Sequence, residues 1–153
     1  MPGLHPQSRQ KAERRSVDMS AQAGDPPPAW TCPPPEECEE GSPYTVCPDG
    51  ADPAKHRIML RLVSHVSTDE LVRFAVIQQT YSQGEWRHVA MADSCHDVDV
   101  HLHQYGRRSD ARVGDPEVLL PVTSANDIHR GYDLAYTRVV EGWVENHRRW
   151  QDA

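Results

Sequence analysis

Carboxylates and imidazoles are strung along one stretch of this chain, Asp93-Ser94-Cys95-His96-Asp97-Val98-Asp99-Val100-His101-Leu102-His103-Gln104-Tyr105. Val98, Val100 and Leu102 alternate with Asp99, His101, His103 and Tyr105, the period of a half-buried strand whose successive side chains point to opposite faces. One face is then core, and the other gathers groups able to move protons or hold a metal. His-x-His on a strand face offers two ligands to one divalent transition metal, so His101 and His103 are the metal candidates, with Asp99 or His88 as a third. The same imidazoles also serve a metal-free chemistry. One as base and one as acid, with an arginine to hold phosphate, suffice to cleave RNA through its own 2′-hydroxyl. Arg107 and Arg108 are near enough in sequence to be that clamp. The plain alternative is a row of solvated histidines on an exposed strand.

Strands must position these residues, and the pattern before them supplies strands. Ile58, Leu60 and Leu62 alternate with Arg57, Met59 and Arg61, giving a first strand in a domain that begins near Lys55. A polar turn at Ser67-Thr68-Asp69-Glu70 leads into a second strand from Leu71 to Tyr81. Ser82-Gln83-Gly84-Glu85 closes a hairpin onto a third strand from Trp86 to Asp93, with Gly84 where a positive φ is needed. Placing Tyr81 opposite Trp86 sets Gln79 beside His88 and puts Phe74, Val76, Val89 and Met91 on one apolar side. Placing Asp93 opposite Val98 continues that side through Val100 and Leu102. The other face then collects His88, His101, His103, Asp99 and Gln79 over a floor of Ala90 and Ala92, rimmed by Tyr81, Trp86 and Tyr105. His88, His101, His103 and Asp99 are the expected catalytic set, and Arg107, Arg108, Gln79, Trp86 and Tyr105 the expected substrate contacts. His65, His129 and His147 read as surface residues.

The last element is a helix. Ser124 is its N-cap and Asp127 the capping-box partner, a negative charge at the positive end. Ile128, Tyr132, Ala135, Val139, Trp143 and Trp150 recur near helical spacing, and Arg148-Arg149 suit the C-terminal end. Residues 125 to 150 predict a helix about 39 Å long, with a kink or late start open at Gly131, where glycine costs about 1 kcal/mol relative to alanine. The expected fold class is α+β. A four-stranded antiparallel meander is backed on one face by one long C-terminal helix, and the second sheet face stays open.

Residues 1–54 hold eleven of the thirteen prolines and four basic against nine acidic residues, while 55–153 hold twelve and fourteen. Few aliphatic residues and this charge read as a disordered Pro-rich acidic tail before the α+β domain. It could also be a docking ligand for a proline-recognising or basic partner. Cys32, Cys38 and Cys47 match no common zinc spacing and read as reduced cytosolic thiols. No stretch reaches the roughly 20 apolar residues of a membrane span, and Arg14-Arg15 is followed by polar residues where an export signal needs an apolar run. The expectation is a cytoplasmic protein without membrane association, starting at Met1 or at Met19. A net charge of −7 gives little general attraction to nucleic acid, so any RNA contact must be local, through Arg107, Arg108 and Arg112.

The order of two strands, Asp93-Ser94-Cys95-His96, His101-Leu102-His103 and a closing helix resembles TumE-type toxins of bacterial toxin-antitoxin pairs. Those carry an Asp-Asn-x-Pro-His-His element followed by His-x-His. The likeness covers residues 71 to 105; here Ser94 stands for the asparagine, and the proline and second histidine are absent. It implies an intracellular toxin acting on RNA, with a cognate antitoxin as partner and His101 and His103 as its working residues. Trp86 to Trp150 is also similar to uncharacterised small proteins of actinobacteria and their phages, a likeness that implies no activity. The competing readings are an interaction module that docks a partner or a second copy through the sheet face, and a metal-binding accessory protein.

Overall fold

A computed structural model describes residues 30–96 and 99–153. The tail reading for residues 1–29, the choice between Met1 and Met19, and the roles given to Asp97 and Val98 lie outside the described residues.

The strands are β1 (Cys38–Glu40), β2 (Tyr44–Val46), β3 (His56–His65), β4 (Leu71–Ser82), β5 (Glu85–His96), β6 (Asp99–Gln104) and β7 (Glu117–Pro121). They form one antiparallel sheet in the order β1-β3-β4-β5-β6-β7, with β2 pairing the same edge of β3 as β1. The α+β class and the central meander agree with the pattern in the sequence, but the sheet has seven strands rather than four. Two of the extra strands come from the segment read as tail. β1 and β2 bury little; backbone ladders hold them, with Glu40 paired to Arg61 at 2.7 Å and Glu37 to His65 at 3.4 Å. Acidic residues of the tail thus meet the basic residues of β3, a match that composition alone hides. Trp30 packs against the core from the same segment.

The β4–β5 turn is as expected. Gln83 (φ 55°) and Gly84 (φ 84°) both take the left-handed conformation, as a two-residue type I′ turn requires. Tyr81 faces Trp86 and Gln79 faces His88. A bulge at Val89 then shifts the ladder by one residue, so that Gln78 faces Ala90 and Val76 faces Ala92. Across β5 and β6, Met91 faces His103 and Asp93 faces His101. These pairs replace the expected one of Asp93 with Val98 and take Met91 off the apolar side it was expected to share with Phe74 and Val76. Ala90 and Ala92 therefore lie on the core face with Ile58, Leu60, Phe74, Val76, Val100 and Leu102. They make room for a helix, not for a ligand.

Two helices cover that face, in place of the single one expected over 125 to 150. α1 (Ala125–Tyr136) starts at the capping box of Ser124 and Asp127. Asp127 Oδ2 accepts from the Thr123 amide at 2.9 Å and the Thr123 hydroxyl at 2.8 Å. A π-helical turn, Thr137–Glu141, and Gly142 then separate it from α2 (Trp143–Asp152). The break is built in: a Cβ on Gly142 would lie 2.5 Å from the Arg138 carbonyl oxygen. At Gly131 a Cβ would lie 2.5 Å from Val100 Cγ2, so glycine sets the close approach of α1 to β6. No helix among the described residues is long and apolar enough to cross a membrane.

Candidate functional site

The sheet face away from the helices carries two cross-strand rows. Register aligns Met59, Ile77, Met91 and His103 in one, and Arg61, Ala75, Asp93, His101 and Val118 in the next. Asp93 and His103 sit diagonally across β5 and β6. His103 Nε2 lies 3.7 Å from Asp93 Oδ2, and each side chain is only 7% exposed. That separation is long for a hydrogen bond and within reach of an ion pair when the imidazole is protonated. His101, two residues back on the same face, has its ring centroid 6.0 Å from that of His103, and its Nε2 is 3.8 Å from Asp99 Oδ2. The predicted His101, His103 and Asp99 do come together, and Asp93 joins them.

Two buried polar atoms on this face stand out. Asp93 Oδ1 and Arg73 Nε have no hydrogen-bond partner among the described residues. Buried polar groups are nearly always paired, because an unpaired one forfeits its hydration without return. Arg73 and Arg61 line a cleft of about 270 Å³ whose floor includes Ala75, the residue paired with Asp93. Glu40 lines the same cleft and pairs with Arg61 at 2.7 Å, which leaves Arg73 as its cation without an ion-pair partner among the described residues.

The remaining predicted residues are elsewhere. His88 stacks on Tyr105 at 5.2 Å instead of neighbouring His103, a consequence of the corrected β5–β6 register. Burial holds its imidazole below the ordinary value, with Asp110 pulling the other way. Gln79 and Trp86 are engaged by Arg57: its Nε donates to Gln79 Oε1 at 2.7 Å and its guanidinium lies 4.2 Å from the Trp86 ring centroid. These two form a cation-centred cluster beside the site, not a set of free substrate contacts. Arg107 and Arg108 turn to the helix side of the sheet, where the Arg107 amide donates to the Trp150 carbonyl at 3.1 Å. They cannot clamp a phosphate held by His101 and His103. Arg61 and Arg73, at odd-numbered places on β3 and β4, lie on the face of His101 and His103.

No protein-family model, no curated protein and no solved structure matches this chain. The chemistry of its residues therefore carries the functional argument alone. Among the described residues no group of three or more His, Cys, Asp or Glu side chains is arranged to hold a metal ion.

Proposed function

We propose that the sheet face away from the two helices is a metal-independent acid–base site that cleaves RNA through its 2′-hydroxyl. The observation carrying this reading is the buried Asp93–His103 pair with His101 beside it on the same face. A carboxylate at the back of an imidazole fixes its orientation and stabilises its protonated form. In the reaction one imidazole takes the 2′-hydroxyl proton as the 2′-oxygen attacks phosphorus. The other delivers a proton to the departing 5′-oxygen as the P–O5′ bond breaks. The products are a 2′,3′-cyclic phosphate and a 5′-hydroxyl. Arg73, in the adjoining cleft, is the cation suited to the phosphate, while Arg61 there is paired with Glu40 at 2.7 Å. An RNA-directed site fits the TumE-like pattern, a cytoplasmic location and an antitoxin partner that masks the face.

The test is incubation of the full chain with total cellular RNA, with and without a chelator, beside His101→Ala/His103→Ala. Chelator-resistant cleavage leaving cyclic phosphate ends, lost in a folded double variant, is the expected result. Absence of cleavage by the unmodified chain overturns the proposal. A docking face is the second reading, favoured by Val118, which is 51% exposed in the same row as His101.

A further inference from the structure

At the β4–β5 hairpin end, on the helix side, a second polar site is assembled from parts distant in sequence. His56, the first residue of β3, meets His147 of α2 edge to face with ring centroids 4.8 Å apart. His56 is also 5.0 Å from the Trp143 ring and His147 stacks at 5.6 Å on Trp150. Both imidazoles open onto a cleft of about 220 Å³ that Lys55, Ser82, Arg107 and Gln151 also line. Each of these six side chains can donate a hydrogen bond, and no carboxylate is among the described residues that line the cleft. Lys55 and Arg107 form no side-chain ion pair among the described residues. Trp150, which also lines the cleft, keeps a buried Nε1–H without a hydrogen-bond partner among the described residues.

The surroundings hold this arrangement in place. Arg87 is buried behind it, donating to the Arg107 carbonyl at 2.8 Å and pairing with Asp110 at 3.2 Å, so the loop bearing Arg107 is anchored. A second cleft of about 360 Å³ shares Arg107 and Gln151 and is lined by Gln83, Arg87 and Arg108, again with no carboxylate among the described residues. Lys55, Arg107 and Arg108, none of them in a side-chain ion pair among the described residues, thus gather at one end of a protein whose net charge is −7, while Arg87 is paired with Asp110. Such focusing gives a local attraction for anions that the overall charge does not.

From this geometry we infer that the His56–His147 cleft binds a phosphate monoester, its phosphoryl group held by Lys55, Arg107 and the two imidazoles. The inference stands on a different face from the RNA-cleaving site and does not depend on it. A bidentate guanidinium and a compact ammonium suit a tetrahedral dianion, and the second cleft leaves room for whatever bears the phosphate. The protonation of the histidines agrees. Burial lowers both imidazoles; His56 and Arg107 lower His147 further, while for His56 the Lys55 charge adds to burial and Asp52 opposes it. A bound dianion reverses that repulsion, so binding takes up protons and strengthens as pH falls toward the imidazole range.

The experiment is a titration of the full chain with inorganic phosphate at constant ionic strength, following the ring resonances of His56 and His147 by NMR, with chloride as the matched control. Saturable shifts at both histidines with phosphate alone are expected. A Lys55→Gln/Arg107→Gln variant, its fold checked by circular dichroism, is expected to bind at least tenfold more weakly. Adenosine monophosphate in a parallel titration separates the sources: tighter binding identifies a nucleotide as the bearer, equal binding the phosphate alone. Shifts that chloride reproduces, or a folded variant that binds phosphate unchanged, overturn the inference. If the variant does not fold, the phosphate-against-chloride comparison on the unmodified chain decides.

Discussion

Asn146 Nδ2 donates a hydrogen bond to Gln78 Oε1 at 3.1 Å, joining α2 to the centre of the sheet through two buried amides. The same nitrogen reaches the Arg138 carbonyl at 2.9 Å, and Gln78 Nε2 donates to the Trp143 carbonyl at 2.9 Å. Arg138 lies in the π-helical turn and Trp143 begins α2, so this network supplies hydrogen-bond partners to the backbone where the helix breaks. Asn146→Leu strands a buried amide oxygen and a carbonyl and is expected to lower unfolding free energy by about 2–3 kcal/mol. Gln78→Leu/Asn146→Leu is expected to cost less than the sum of the single changes, since no buried side-chain amide is then left unpaired. Urea denaturation of the three variants measures this double-mutant cycle.

Gly131 allows α1 to touch β6. With a Cβ only 2.5 Å from Val100 Cγ2, Gly131→Ala must push the helix away or force Val100 aside. The gain of about 1 kcal/mol in helix propensity is smaller than the cost of overpacking a filled core, so the variant is expected to be net less stable by about 1–2 kcal/mol. Adding Val100→Ala removes the methyl that the new Cβ meets. Thermal unfolding should show the double variant losing less than the two single changes together.

Stability should fall in two separate steps on acidification. His56, His88 and His147 all have imidazoles held below their ordinary value of 6.5, chiefly by burial. Below that pH the unfolded chain binds more protons than the folded one, so stability declines as pH falls through this range. Asp127 acts at lower pH. Its hydrogen bonds from Thr123 hold its carboxyl below 3.8, so the stability it contributes is present above that value and lost as pH falls through the folded one. Denaturation midpoints between pH 8 and 5 should fall with pH, and His147→Gln should flatten that slope. A slope unchanged in the variant counts against His147 as a contributor.

How much of this was legible before the fold was known depended on the range of the signal. The Gln83-Gly84 turn and the Ser124/Asp127 cap are local, and both appear as the residues predict. Val89 shows the limit. One bulged residue moved Ala90 and Ala92 to the core and broke up the group expected around His88, because strand faces alternate with every residue. The break at Gly142 was unreadable since the amides that serve it, Asn146 and Gln78, are joined across two elements. His56 and His147 meet only through tertiary packing, and nothing near His147 in sequence marks it as more than a surface residue. β1 and β2 were hidden by a composition poor in apolar residues, while their ion pairs and ladder involve a strand that follows them.

Asp93 separates an acid–base site from a row of packed histidines. Its carboxylate is buried with Oδ2 toward His103 and Oδ1 unpartnered among the described residues. If the pair orients and charges His103 during RNA cleavage, Asp93→Asn keeps the shape but removes the charge that stabilises the protonated imidazole. Cleavage is then expected to fall about a hundredfold or more with the fold intact, matching His103→Ala within a few-fold. Combining Asp93→Asn with His103→Ala should add little further loss, since the two act as one unit. A purely structural pair gives a different pattern, in which either change lowers the unfolding midpoint and any cleavage by the surviving folded fraction keeps its normal rate. Rates per folded molecule, set beside unfolding curves of the same preparations, tell the two apart.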